Sequence, residues 1–131
     1  MKGGYPGSLV IEDQEVSFTF HGNWKIKMDC PPTSTARGYS GNFSAVIKES
    51  KLTGQRGSAG QPGSLFLSGS IRADGSATLA GDGFTSDPAV TNGNSARGTP
   101  YNFVAPSQFA ATKGTGTRTT GRICTLDFRK E

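Results

Sequence analysis

Two cysteines at the ends of two alternating segments constrain the fold more than any other feature of this sequence. Cys30 ends a segment in which apolar residues recur at every second position, and Cys124 lies in a similar segment near the C-terminus. If the two cysteines face each other in an antiparallel pair, one face of the pair is mainly apolar and the other is charged or polar. The partners on the first face are Met28 with Leu126, Ile26 with Phe128 and Trp24 with Lys130, and those on the second are Lys27 with Asp127 and Asp29 with Thr125. Pairing an early strand with the last one predicts a closed barrel.

The rest of the chain keeps the same period of two. Its 131 residues fit one domain, 1–131, in which residues 1–21 are an N-terminal extension holding a strand or hairpin that includes Phe18. The hydrophobic fraction is only 33%, but 19 glycines explain this low value by turns and exposed strand faces rather than by disorder. We predict an all-β, up-and-down antiparallel barrel of about eight strands, closed by pairing of the Trp24–Cys30 and Cys124–Lys130 segments.

Short turns are predicted at three places. A tight turn at Glu49-Ser50 sets Ile47 opposite Leu52, and Asp74-Gly75 is the strongest short turn signal, although its register depends on the turn type. Residues 113–116, Lys-Gly-Thr-Gly, are predicted as a further turn. Pro106 has no amide hydrogen, so it is expected to interrupt the hydrogen-bond ladder at a bulge or an edge.

Three longer connections stand out between the strands. They are Thr33 to Ser40, Gln55 to Ser64 and Thr85 to Pro100. Long connections on a barrel with short turns often carry function, while Gly-, Ser- and Asn-rich loops also tolerate insertion without a function. We predict that these connections cluster at one rim, opposite or beside Trp24, and that a ligand or partner binds that rim.

Cysteine usage bears on the compartment. A structural disulfide between Cys30 and Cys124 indicates a periplasmic or secreted protein, and the alternative is a pair of buried free thiols in a cytoplasmic domain. No apolar stretch reaches membrane-spanning length, so we expect no membrane span. The first residues lack the hydrophobic segment of a signal peptide, which fits either a cytoplasmic chain or a mature form without its leader.

One short motif resembles a known family. Gly22-Asn23-Trp24 at the head of an early strand, with Arg129 and Lys130 ending the last one, resembles the calycin pattern of lipocalins and, more loosely, avidins. In that family the tryptophan plugs one end of the barrel and a late basic residue stacks over it. The resemblance therefore implies a structural pairing of Trp24 with either Arg129 or Lys130. The glycine-rich sequence is also similar to small bacterial periplasmic barrels of the metalloprotease-inhibitor type, which carry one disulfide.

No combination of residues with catalytic spacing is present, so we expect no enzyme and no catalytic residue. His21 is the single histidine, and a solvated imidazole is the favoured interpretation over a general base. Two cysteines without CxxC spacing and one histidine do not make a zinc site, and no calcium loop or nucleotide-binding motif is present. We expect neither a metal nor a cofactor.

The function must then follow from shape. The first hypothesis is a barrel that binds a small apolar ligand or a protein partner, with Phe43 and Phe103 among the residues that either line a cup or fill a core. The alternative is a protease-inhibitor or protein-interaction module that acts through its loops, with Arg97 and Tyr101 on the contact surface. The net charge of +4 is scattered along the chain, and a disulfide argues against nucleic acid as a partner. The sequence does not predict the oligomeric state.

Overall fold

The computed structural model of the chain describes residues 8–11, 14–17, 19–90 and 96–131. These residues contain one 3-10 helix, Pro88–Val90, and ten β-strands. The strands are β1 Ser8–Ile11, β2 Gln14–Ser17, β3 Gly22–Cys30, β4 Tyr39–Lys48, β5 Lys51–Arg56, β6 Leu65–Ser70, β7 Ser76–Phe84, β8 Pro100–Phe109, β9 Lys113–Arg118 and β10 Cys124–Lys130. The predicted contribution of Phe18 to the N-terminal strand lies outside the described residues. No helix in the described part is long and apolar enough to span a bilayer.

Eight of the strands close into an antiparallel barrel in the order β10-β3-β4-β5-β6-β7-β8-β9, while β1 and β2 pair separately as a two-stranded sheet. The predicted all-β, up-and-down barrel is confirmed. At the closing seam the partners on the inner face are Met28 with Leu126, Ile26 with Phe128 and Trp24 with Lys130, which is the predicted register. Cys30 and Cys124 form a disulfide at one end of this seam, with 2.08 Å between the sulfur atoms.

The predicted turns at Glu49-Ser50 and Asp74-Gly75 are present, and the backbone at each has a positive φ angle typical of a tight turn. Glu49 and Ser50 have φ angles of 52° and 64°, which give the two-residue hairpin turn that matches strand twist, and Ile47 pairs with Leu52 as predicted. In the Asp74-Gly75 turn, Gly75 has a φ of 88°, and its carbonyl accepts a hydrogen bond of 2.7 Å from the amide of Phe109. A Cβ atom at position 75 would lie 2.1 Å from the Phe109 carbonyl oxygen, so only glycine fits.

The predicted turn at residues 113–116 is wrong. These residues belong to β9, and the chain reverses just before them, where the amide of Ala110 donates to the carbonyl of Lys113 at 2.7 Å. Gly114 and Gly116 do not form a turn; they allow neighbouring groups to approach the backbone of β9 closely. A Cβ at Gly114 would lie 2.9 Å from the ring of Phe109, and one at Gly116 would lie 2.3 Å from the Ser107 hydroxyl. Side chains of the neighbouring strand β8 therefore leave no room for a side chain at either glycine.

Pro106 lies inside β8, where it pairs with Thr78 of β7. On its other side, the ladder between β8 and β9 covers Ser107–Phe109 and stops at Pro106. The predicted interruption is thus confirmed for one of the two neighbouring strands, and β8 itself continues through the proline. Beyond the interruption the contact between β8 and β9 is looser, with the amide of Thr119 donating to the carbonyl of Val104 at 3.3 Å.

One hydrophobic core occupies the barrel interior, because inward-facing side chains are buried at every second position of the barrel strands. Where β3 begins, this core ends in a group of aromatic rings. Trp24 is fully buried and contacts Phe109 edge to face, with 5.5 Å between the ring centroids, and Phe109 in turn packs on Phe128 at 4.6 Å. The indole Nε1 donates to the carbonyl of Phe20 at 2.8 Å. We call this group of Phe20, Trp24, Phe109 and Phe128 the plugged end.

Candidate functional site

The longer connections lie at the end of the barrel opposite Trp24. Because neighbouring strands are antiparallel, the connections after β3, β5, β7 and β9 all emerge at the end that carries the disulfide. The predicted clustering of the three long connections at one rim is confirmed for their described residues; residues 91–95 lie outside the described part. The connections also touch one another. Arg37 forms an ion pair with Asp87 at 3.1 Å, and its amide donates to the carbonyl of Ala89 at 2.7 Å.

A cavity of about 190 Å³ lies among these connections and the strand ends. We call it the arginine cavity. Its lining combines three arginines and two tyrosines with small and apolar residues: Tyr39, Arg56, Phe84, Thr85, Ser86, Val90, Tyr101, Arg118, Gly121 and Arg122.

Strand alternation explains why charged and phenolic side chains meet here. Tyr39 begins β4 and Tyr101 lies at the start of β8, each two or four residues from a buried phenylalanine on the same strand face. Arg56 ends β5 and Arg118 ends β9, and both keep the inward phase of their strands. Arg122 precedes the inward-facing Cys124 by two residues. All five side chains therefore lie at inward-facing positions just beyond the core, at the end of the barrel that carries the connections.

Arg118 is held by aromatic rings. Its side chain is buried, with 8% of the residue exposed, and its guanidinium carbon lies 4.5 Å from the ring centroid of Phe103 and 5.2 Å from that of Tyr101. The two rings are stacked, with 6.4 Å between centroids and 15° between planes. The Nε atom of Arg118 donates to the carbonyl of Thr120 at 3.0 Å, which fixes the side chain from the other direction.

Two glycines of β7 make room for these rings. A Cβ at Gly81 would lie 2.3 Å from the ring of Phe103, and one at Gly83 would lie 2.6 Å from the ring and hydroxyl of Tyr101. No side chain larger than hydrogen fits at either position without moving a ring. The glycines of β7 therefore position both aromatic supports of Arg118.

Arg122 joins the connections around the cavity. Only 4% of it is exposed, and its terminal nitrogens donate to the carbonyls of Val90, Pro31 and Arg37, the last two at 2.8 Å. Its guanidinium carbon lies 5.2 Å from the ring centroid of Tyr39. The Nε atom is buried and has no hydrogen-bond partner within the described chain. A buried donor of this kind is costly unless an acceptor reaches it.

The charge of the cavity is not balanced by carboxylates. Four ion pairs occur among residues 19–90 and 96–131, and none of them includes Arg56, Arg118 or Arg122. Burial lowers the pKa of Arg118, and Tyr101 and Tyr39 oppose this shift. The positive charges of Arg122 and Arg56 lower that pKa further. Arginine nevertheless stays protonated in proteins. Burial also raises the pKa of Tyr101, against the opposing effect of Arg56, so this phenol is neutral at pH 7. The cavity is therefore positively charged.

The residues expected to bind a ligand or partner are distributed over three environments. Tyr101 lines the cavity, and Phe103 lies beneath it against Arg118. Phe43 is a core residue with 7% exposure. Arg97 is exposed on the connection after β7 and does not line the cavity. Sequence reasoning missed Arg122 and Tyr39 altogether, and it treated Arg56 and Arg118 as scattered charges.

The two basic residues proposed to accompany Trp24 point in different directions. Arg129 lies on the outer face of β10 and forms an ion pair with Asp127 at 3.0 Å. Lys130 lies on the inner face opposite Trp24, and its Nζ donates to the carbonyl of Thr19 at 3.4 Å. Lys130 is therefore the one of the two at the rim of the plugged end.

No group of three or more histidine, cysteine, aspartate or glutamate side chains with the geometry of a metal site occurs in the described part of the chain. No protein-family model matches the sequence, and comparisons with curated proteins and with solved structures return no match. The eight-stranded barrel and its disulfide are thus established by the structure alone.

Proposed function

We propose that this protein is a non-enzymatic binding barrel that holds a small molecule in the arginine cavity. The observation that carries the proposal is a cavity lined by inward-facing arginines and tyrosines at the mouth of an otherwise filled barrel. Small-molecule sites are typically concave, with few polar groups placed among apolar walls, and the mouth of a barrel is one of their preferred locations. The mouth is favoured over the barrel centre, because the side chains of Ile26, Leu67 and Leu79 there are fully buried against one another.

The rigidity of the site supports binding more than catalysis. Arg118 and Arg122 are each fixed by carbonyl hydrogen bonds and an aromatic ring, so little side-chain entropy remains to be lost when a ligand binds. The disulfide at the same rim supports a periplasmic or secreted location, where such bonds persist. The Trp24 plug supports a distant relation to calycins, whose barrels are also closed at one end by a tryptophan.

Fragment screening by NMR tests this function. A mixed library of small neutral, anionic and cationic compounds is titrated into ¹⁵N-labelled protein, and we expect the perturbed amides to cluster around Tyr101, Ser86 and Gly121. Replacing the exposed Ser86 with tryptophan fills the cavity without altering the core, so Ser86→Trp should abolish these shifts while the protein stays folded.

The matched control is Ser70→Trp, which adds the same side chain at an exposed position of β6 near the other end of the barrel. This variant should bind fragments like the parent protein. Fragments that perturb only the plugged end, or that bind Ser86→Trp undiminished, would contradict the proposed site.

A second candidate function is a protein-interaction or protease-inhibitor module, and one observation favours it. The connections after β3 and β7 are cross-linked by the Arg37–Asp87 ion pair and by Arg122, which gives a loop surface already fixed before a partner binds. Arg97 is exposed on this surface. If this candidate is correct, Arg97→Ala should weaken the binding of a captured protein partner, whereas Ser86→Trp should do so only through steric overlap.

A further inference from the structure

The arginine cavity also indicates a class of ligand. Resting on the proposed function, we infer that the cavity binds a tetrahedral oxyanion, the phosphate or sulfate group of a small molecule, through Arg56 and Arg118, with Arg122 adding positive charge.

Three cations from three different elements surround one small space. Arg56 comes from the end of β5, Arg118 from the end of β9, and Arg122 from the connection that precedes β10. Like charges held together without carboxylates repel one another, and the repulsion is stronger in a partly buried site than in water. An anion of matching charge removes this repulsion on binding. The barrel thus carries an electrostatic cost that a ligand can relieve.

The donors favour a tetrahedral group over a planar carboxylate. Within the described chain the Arg118 side chain donates only through Nε, which leaves its two terminal nitrogens for a ligand. The terminal nitrogens of Arg122 already donate to backbone carbonyls, so Arg122 contributes positive charge beside the cavity. A carboxylate has two oxygens in one plane and is matched by a single guanidinium fork. A phosphate or sulfate offers oxygens in several directions, as arginines that approach from separate strands require.

The walls and the size of the cavity fit a compact head group. Tyr39 and Tyr101 provide hydroxyl-bearing rings beside the guanidinium groups, and Val90 and Phe84 provide apolar surface for the remainder of a ligand. The volume of about 190 Å³ corresponds to several water molecules at about 30 Å³ each. The cavity can therefore hold one oxyanion group with a short attached moiety.

Thermal unfolding of the folded protein in sodium phosphate, sulfate, acetate and chloride at equal ionic strength tests the inference. Ligands that bind only the native state raise the melting temperature in a saturable way. We expect phosphate and sulfate to do so and acetate and chloride to fail. Isothermal titration with inorganic phosphate and with phenyl phosphate then separates a free anion from a phosphate carried by an organic group.

The variants identify the site. Arg118→Met and Arg56→Gln should each weaken phosphate binding by about tenfold or more, because one charge-assisted hydrogen bond contributes roughly a factor of ten in affinity. Arg72→Gln removes the same charge near the plugged end, where Arg72 donates to Ser76 at 3.1 Å, and should leave the affinity unchanged. If Arg118→Met does not fold, the half-buried Arg56 provides the independent variant.

The outcomes separate this inference from the proposed function. Equal stabilisation by acetate, or an equal loss of affinity in Arg72→Gln, would overturn the oxyanion assignment. Fragments that occupy the cavity while phosphate and sulfate do not bind would overturn the ligand class and leave the binding barrel standing. Failure of every probe to bind the parent protein would overturn both.

Discussion

The two ends of the barrel use equivalent inward-facing strand positions for opposite purposes. At the plugged end, Trp24 and Phe109 pack edge to face and exclude water. At the other end, the same strand phase presents Arg118 and Tyr101, which pack guanidinium against ring and leave a cavity. The alternation of a strand therefore decides which residues face inward, but the residue types at each end decide whether that end is sealed or can take a ligand.

The largest expected effect concerns the plugged end. Trp24→Ala should lower the free energy of unfolding by about 3 to 5 kcal/mol, because removal of a fully buried indole leaves a cavity. Urea denaturation followed by circular dichroism measures the loss, and Phe66→Ala is the control, since Phe66 is a large side chain that is 40% exposed on the outer face. Similar losses in the two variants would mean that the plug contributes no more than an outer-surface ring.

The disulfide should have the next largest effect. Replacing both Cys30 and Cys124 with alanine should cost roughly 2 to 4 kcal/mol, because the bond closes a loop with a sequence separation of 94 residues in the unfolded chain. Denaturant titration of the oxidised protein, the reduced protein and the double variant measures this cost. Two reactive thiols per chain in the unfolded, unreduced protein would show instead that the bond is absent.

Gly83→Ala tests the packing at the cavity end with a single methyl group. The added Cβ would lie 2.6 Å from the Tyr101 ring, so the variant should lose about 1 to 3 kcal/mol through overpacking and should displace Tyr101 into the cavity. Gly41→Ala is the matched control on β4, because its Cβ would be at an ordinary distance of 3.6 Å from Arg56. Melting temperature and fragment binding are measured together. Unaltered binding in Gly83→Ala would argue that Tyr101 does not shape the site.

Arg118→Met is expected to have the smallest effect on stability, and it separates the roles of the two ends most clearly. The substitution replaces a buried cation that has no carboxylate partner in the described chain by an apolar side chain of similar length, so the variant loses a hydrogen bond but also no longer buries a charge. We expect the free energy of unfolding to change by less than about 1 kcal/mol or to rise. Chemical denaturation in low-phosphate buffer is the measurement. A loss as large as that of Trp24→Ala would make Arg118 a structural residue equivalent to the plug.

The register of the closing seam could be predicted from the sequence, because the cysteine pair and the alternation of apolar residues both indicated the same pairing. One cysteine pair and the alternation of Ile26 and Met28 against Leu126 and Phe128 left a single register compatible with an apolar face. Gly114 was misassigned because glycine occurs both in turns and where a neighbouring group approaches the backbone closely, and only the position of the Phe109 ring on the neighbouring strand separates these two uses.

The candidate site was only partly predictable, for a related reason. Arg118 continues the inward phase of β9, and that signal was available in the sequence once the strand had been placed correctly. Arg97 and Arg118 are the same residue type, and neither belongs to a recognisable motif. What distinguishes them is the set of neighbours that the barrel brings together, and the space opened for Tyr101 by Gly83 depends on pairing between β7 and β8.

An even number of up-and-down strands also fixes the direction in which the barrel can be attached. The chain enters β3 and leaves β10 at the same end, where the amide of Glu131 donates to the carbonyl of Asn23 at 2.8 Å. A tether joined at residue 131 therefore emerges beside the Trp24 plug, and the arginine cavity faces away from it. The protein can be immobilised on a sensor surface or fused to a carrier through this end with its mouth directed into solution.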